Sequence, residues 1–314
     1  MNLLPYLIKP EYIYSPRKIF ARMFCCKKQY TQGFVETNRP WGLRLRVRPN
    51  EVIGTSVLRL GVYDLVVSES LWRLLRAGGC ALDIGANIGH MSSIMAARAG
   101  STGTVHSFEP HPQVYQELDY NVHTWSDVPG VCRVHAHNFG LSDVNGEGII
   151  EMPKSFDGNR GVAFVVSEGD AGASAAPHGV RSPIQLRRLD DFWSGIGETR
   201  QIDVAKIDVE GHELSVLKGA AKLIGTGMIR DIIFEENRPY PTDVTDYLSA
   251  QGYSIHLLEK GLWGPLISLP VQGRPPRFPW EPPSYLATRD PARALRILKK
   301  KGWFILVGRP VSSA

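Results

Sequence analysis

The chain has 314 residues, 43% hydrophobic and 21% charged, enough apolar material for one large α/β domain, which excludes a disordered, collagen-like or coiled-coil chain. Its apolar runs fall far short of the roughly 18 residues that cross a bilayer, and the stretch 3–8, broken by Pro5 and followed by Lys9-Pro10, is too short for a secretory signal. The net charge of +5 is uneven, with ten Lys/Arg against two Asp/Glu in residues 1–50 and 26 against 29 in the rest.

Residues 1–40 read as a basic N-terminal arm and 41–314 as a single domain. A nucleic-acid enzyme spreads cations over its body. Here they sit in the arm, so no nucleic-acid partner is expected. Within the arm Ile19, Phe20, Met23 and Phe24 recur at helical spacing among Arg17, Lys18 and Arg22. Such a helix either packs its apolar side on the domain or lies on an anionic surface, as a peripheral membrane contact or against an acidic substrate. Cys25, Cys26, Cys80 and Cys132 have no Cys-x-x-Cys spacing, which argues against structural zinc or a disulfide framework and for a reducing cytoplasm.

Beyond the arm, 41–67 reads as one or two short strands or a hairpin, leading to a helix over 68–76. From Cys80 strands and helices alternate: strand 81–84, helix 90–99, strand 104–108, helix 112–123, strand 131–136 and strand-like 148–152. The Gly-, Ala- and Ser-rich stretch 153–183 reads as an insertion with a strand at 162–166. Strand 204–209, helix 212–224, strand 231–234, a helix near 242–251 and strand 253–258 follow. A proline-rich loop at 264–283 precedes a last strand at 303–307. This alternation predicts a mostly parallel α/β sheet covered by helices on both faces.

Ligands of such sheets lie beyond the carboxyl ends of the strands, where strand order reverses. The first strand ends in Asp83-x-Gly85-x-Asn87-x-Gly89, where glycines permit a tight turn onto a helix N-terminus. The spacing is neither the dinucleotide fingerprint nor a P-loop. Glu109 ends the second strand and can accept hydrogen bonds from both hydroxyls of a ribose. In Lys206-Ile207-Asp208-Val209-Glu210-Gly211 the three charges share one side of a strand. Burying them costs several kcal/mol each unless they are paired or line a cleft, so a place at the strand's carboxyl end is expected. Glu235-Glu236-Asn237 ends the next strand and can add an acid to the same rim.

The segments ALDIGANIGHMSSIMA, VHSFEPHPQVYQELDYNV, GLSDVNG, LDDF and KIDVEGHELSVLKGA occur in this order over roughly 60–240. Together they resemble the FkbM-type S-adenosylmethionine-dependent methyltransferases of the class I superfamily. The resemblance implies a Rossmann-like seven-stranded sheet, mostly parallel with an antiparallel last strand, which 303–307 would supply. It also implies O-methylation of a hydroxyl on a sugar, glycolipid or natural product. Carried over by position, Asp83, Gly85, Asn87 and Gly89 would hold the methionine end of the cofactor and Glu109 its ribose. Asn138, Ser142 or Asp143, after the third strand, would lie near the adenine. Asp208 or Glu210 would orient the acceptor hydroxyl or take its proton, with His212 and His90 as further candidate bases. Asp208 and Glu210 are also hard oxygen ligands that suit Mg²⁺ across a diol, although two carboxylates do not establish a metal. Two other readings are a nicotinamide-dependent oxidoreductase, which wants a GxGxxG turn that the 85–89 loop does not have and, in one common version, a Tyr-x-x-x-Lys pair, a spacing found here only at Tyr14–Lys18 in the arm, and a non-catalytic module that retains the fold.

Overall fold

Short runs of Val, Ile, Leu and Ala that are buried on both faces build the centre of the molecule. The computed structural model describes residues 10–14, 33–153, 155–156, 158–166, 179–274 and 283–308. The amphipathic helix expected at 17–24 and part of the 153–183 insertion lie outside the described residues. The strands are β1 (Val35–Asn38), β2 (Arg44–Val47), β3 (Cys80–Ile84), β4 (Thr104–Phe108), β5 (Arg133–His137), β6 (Gly140–Leu141) and β7 (Gly146–Met152). They continue with β8 (Phe164–Val166), β9 (Val180–Arg187), β10 (Ile202–Ile207), β11 (Ile229–Glu235), β12 (Ser254–Lys260), β13 (Pro265–Ser268) and β14 (Ser284–Thr288).

The main sheet runs β13-β12-β14-β11-β10-β3-β4-β5. Neighbours from β11 to β5 are parallel, whereas β14 lies antiparallel between β11 and β12. Every residue of β3, β4 and β10 is buried, as expected for central strands with helices on both sides. The helices Leu65–Leu74, His90–Ala99, Pro112–Trp125 and Pro291–Leu298 pack one face, and Leu189–Ile196, Glu213–Gly219 and Asp243–Ala250 the other. Strand order reverses between β3 and β10, so the loops after these two strands diverge there and leave a crevice. A second sheet, β6-β9-β7-β8, branches off directly after β5 around Ile150, Ile184 and Leu186.

Three expectations need correction. The antiparallel strand is β14, not 303–307, and β13 adds an eighth strand outside β12. Phe304–Val307 is a short helix. Ile305 and Leu306 are both buried, and the Ile305 N–H is taken by the Glu69 carboxylate at 2.9 Å rather than by a neighbouring strand. The hairpin expected in 41–67 instead pairs β1 with β2, and Val52–Leu60 is a helix. Glu51 caps it by accepting from the N–H groups of Ile53 (3.1 Å) and Gly54 (3.0 Å), although Glu is not among the preferred N-cap residues. The helix expected over 212–224 is two, Glu213–Gly219 and Ala221–Gly225.

The C-terminal region is anchored by one buried pair. Arg73 lies 2.6 Å from Glu69, with side chains 3% and 0% exposed. Arg73 also donates to the carbonyls of Leu298 (2.9 Å) and Gly302 (2.5 Å), and Glu69 accepts from the Ile305 N–H at 2.9 Å. Removing one member of a buried pair strands the other's charge, at a cost of about 3–5 kcal/mol. Arg73→Ala is therefore expected to lower unfolding stability by that amount, and Glu69→Gln/Arg73→Met to recover part of it. A denaturant titration showing under about 1 kcal/mol for Arg73→Ala would remove this anchor.

Candidate active site

The loop after β3 is shaped by contact with the end of β10. Gly85 has φ +75°, and a Cβ there would stand 1.9 Å from the Asp208 carbonyl oxygen, so the position admits glycine alone. Asn87 also has positive φ, at 49°, and Gly89 caps the His90–Ala99 helix. Lys206 donates to the Gly85 carbonyl at 2.8 Å. Its ammonium lies 3.2 Å from Asp208 Oδ2 and 3.7 Å from Asp83 Oδ1. Burial pulls the Lys206 pKa down, but the charges of Asp208 and Asp83 leave it above the usual value.

Asp83 is fully buried and accepts from Ser92 Oγ at 2.5 Å, and burial raises its pKa. Glu109, at the end of β4, is fixed by the backbone: Oε2 accepts from Asn87 N and Oε1 from His111 N, both at 2.9 Å. Burial pushes its carboxyl up to about 7 against these two bonds. Asn138 donates its side-chain amide to the Glu109 carbonyl at 2.9 Å and the Pro110 carbonyl at 3.1 Å, tying the loops after β4 and β5 together.

A cavity of about 620 Å³ opens here, and Gly85, Asn87, Glu109, Asp208, Glu210 and His212 all line it. Asp83, Gly89, Asn138, Ser142 and Asp143 are not part of its wall. Glu210, at φ 52°, is pushed up to about 7 by burial and then by the charges of Asp208 and Glu213. His212 Nε2 lies 3.0 Å from Ser142 Oγ, and burial lowers its pKa. His90 lines the cavity too, but its Nε2 accepts from the Tyr63 N–H at 3.2 Å and burial holds it down to about 3. That makes His90 a neutral structural acceptor.

Glu235, at the end of β11, joins the wall as expected. Its carboxyl is raised by burial, with Asp208, Asp64 and Glu210 adding to it. Tyr63, Asp64 and Arg160 also line the cavity, and sequence reading missed them. Asp64 caps the Leu65–Leu74 helix by accepting from Val67 N at 3.1 Å. An Asp immediately before an apolar helical run is a start signal that could have found it. Arg160 comes from the insertion, and its ion pair with Glu117 at 2.7 Å had no sequence signal. Among the described residues no cluster of three or more His, Cys, Asp or Glu could hold a metal ion.

A mostly parallel sheet with β14 inserted antiparallel between β11 and β12, a glycine loop after β3 and an acid ending β4 define the class I methyltransferase fold. Within that class, the family model for the methyltransferase FkbM domain matches residues 83–255, and the chain belongs to this family. The nicotinamide reading falls with that match. Hexuronic acid methyltransferase AglP of Haloferax volcanii is 31% identical over 195 residues, covering 62% of this chain and 66% of that protein. Methyltransferase 1 of Beauveria bassiana is 27% identical over 156 residues, covering 44% of this chain and 57% of that one. The chain thus spans less than two thirds of the length of either relative. The solved structure of an FkbM methyltransferase from Methylobacillus flagellatus aligns with TM-score 0.41 at 19% identity, over 68% of this chain and 47% of that one.

The residues present fit S-adenosylmethionine. Glu109 offers a fixed carboxylate in the cavity wall, an acceptor for a ribose diol. Asp64, Asp208, Glu210 and Glu235 crowd the same cavity, and such a surplus of carboxylates favours a ligand with a sulfonium and an ammonium charge.

Glu109 binds its proton more tightly when folded, at about 7, than at the ordinary 4.5. Its contribution is therefore full below 4.5 and lost as pH rises through about 7. The ligand-free protein is expected to lose on the order of 1–3 kcal/mol across that window, and Glu109→Gln to flatten the slope. Thermal melts in a pH series read this directly; an identical slope in the variant contradicts it.

Proposed function

We propose that this protein transfers a methyl group from S-adenosylmethionine to a hydroxyl oxygen on a sugar-bearing acceptor. The observation that carries the reading is that Glu109, Asp208 and Glu210 line one cavity at the carboxyl ends of β4 and β10. When bound, the cofactor supplies a methyl group already activated on sulfur. The chain's own tasks are alignment, exclusion of water and acceptance of one proton. Glu109 holds the ribose, and the Gly85–Asn87 turn meets the methionine end.

Asp208, 3.2 Å from the Lys206 ammonium, accepts a hydrogen bond from a neighbouring hydroxyl of the sugar and so turns the reacting oxygen's lone pair along the carbon–sulfur axis. Glu210 would take the proton of the reacting hydroxyl as the oxygen–carbon bond forms and the carbon–sulfur bond breaks, the electron pair leaving on sulfur with S-adenosylhomocysteine. A carboxyl poised near 7 suits a general base at neutral pH. His212, held by Ser142, stands by the same wall. Alignment of this kind can supply up to about 7–11 kcal/mol.

A sugar acceptor is supported by the relative named for hexuronic acid. A second support is the Arg160–Val162 turn. A Cβ at Gly161 would lie 3.8 Å from Glu210 Oε1, and the buried Arg160 Nε has no hydrogen-bond partner in the structure. A guanidinium so placed suits an acceptor that carries a carboxylate.

Isotope transfer from methyl-labelled cofactor to hexuronate-containing glycans tests the reading. Asp208→Asn is expected to cut kcat by roughly 10²–10⁴-fold while cofactor Kd stays nearly constant. Glu109→Ala should weaken cofactor binding by about 1–3 kcal/mol. Equal loss of binding in both would overturn this division of roles. The kcat profile should rise with pH through about 7, and Glu210→Gln should abolish that rise. A limb that survives the substitution excludes Glu210 as the base.

A further inference from the structure

Trp263, Leu266, Leu269 and Val271, within one hairpin and its exit, are 59%, 44%, 69% and 59% exposed. Side chains of this size are normally scattered singly over a soluble surface, and a concentration of them marks a contact site. The hairpin joins β12 to β13. Because β12 is antiparallel to β14, which is antiparallel to β11, β12 runs with the central strands. Its turn therefore lies at the cavity edge of the sheet. Val271 itself lines the cavity, so the apolar strip reaches the mouth of the active site.

A basic run stands beside the strip and is fixed there. Lys299, Lys300 and Lys301 are exposed. Gly302 N donates to the Trp263 carbonyl at 2.7 Å, and the buried Trp303 donates its indole N–H to the Leu262 carbonyl at 3.3 Å. The Arg73 guanidinium, itself held by Glu69, grips the Lys300 carbonyl at 2.5 Å. The buried Glu69–Arg73 pair thus presents three ammonium groups next to an exposed indole. Tryptophan in company with Leu, Val and several lysines is the composition of a surface that seats at a lipid headgroup boundary.

We propose that this face docks on an anionic bilayer, with Trp263 and Leu269 entering the headgroup layer, Lys299–Lys301 over the lipid charges and the cavity mouth turned toward the membrane. The surface would deliver acceptors carried on a lipid without requiring any span of the membrane. No described helix is long and apolar enough to cross one. The docking stands apart from the methyl-transfer chemistry, because neither Trp263 nor the lysine run lines the cavity.

Sedimentation of the full chain with vesicles of phosphatidylcholine mixed with phosphatidylglycerol, against phosphatidylcholine alone, tests the proposal. The intact protein should pellet with the anionic vesicles at low salt and be released as salt rises. Lys299→Ala/Lys300→Ala/Lys301→Ala should weaken partitioning roughly a hundredfold, and Trp263→Ala roughly tenfold. Both variants should keep their circular dichroism and their affinity for S-adenosylhomocysteine, which separates docking from the site. Absence of vesicle binding by the intact chain overturns the proposal. So does undiminished binding by both variants, or a concentration-dependent dimer that Leu269→Glu abolishes without change in lipid binding.

Discussion

A lysine ammonium in the middle of a parallel sheet is the constraint on which the site is built. Lys206 is 6% exposed, and an ion so placed costs several kcal/mol unless it is paired and hydrogen-bonded. Its partners come from two elements. Asp83 is its register neighbour across β3 and β10, Asp208 follows two residues later, and the Gly85 carbonyl completes the set. Satisfying one charge therefore sews the loop after β3 to the loop after β10. Gly85 is obligatory for the same reason, since the Asp208 carbonyl occupies the space a side chain would need. The wall of the cavity is set before any ligand arrives.

The next consequence is electrostatic. One buried lysine cannot neutralise the carboxylates gathered round the cavity, so burial and mutual repulsion hold Glu109 and Glu210 up to about 7. A site that retains protons when empty is matched to a cationic ligand, and a carboxyl kept near neutrality is a competent proton acceptor. The arrangement that raises the free energy of the empty site is also the one that prepares it for chemistry.

Away from the centre, structure was legible wherever a pattern was local. The alternation of strand and helix from Cys80 to Leu258, the turn at Asp83–Gly89, and Glu109 at the end of its strand all followed from spacing and turn residues. The cap at Asp64 was legible in principle, since Asp is a preferred N-cap residue, whereas Glu51, which caps Val52–Leu60, is not. The helix at Phe304–Val307 was not. Its apolar run suits a strand equally well, and the choice was made by Glu69, which accepts from Ile305 N some 236 positions away. Arg160 and Tyr63 reach the cavity in the same way, through contacts between distant segments.

By itself the sequence determined the layers, the order of the central strands' chemistry and which acids stand at strand ends, because hydrophobic period, turn residues and caps act over a few neighbours. Only the tertiary structure decided that Asp83 is not part of the wall, that Asp208 is tied to Lys206 while Glu210 is left poised, and that β14 supplies the antiparallel strand. Those outcomes depend on which charges and backbone groups meet after the chain has crossed back on itself. Such meetings are fixed by the balance of burial and pairing over the whole sheet, and no window of sequence contains it.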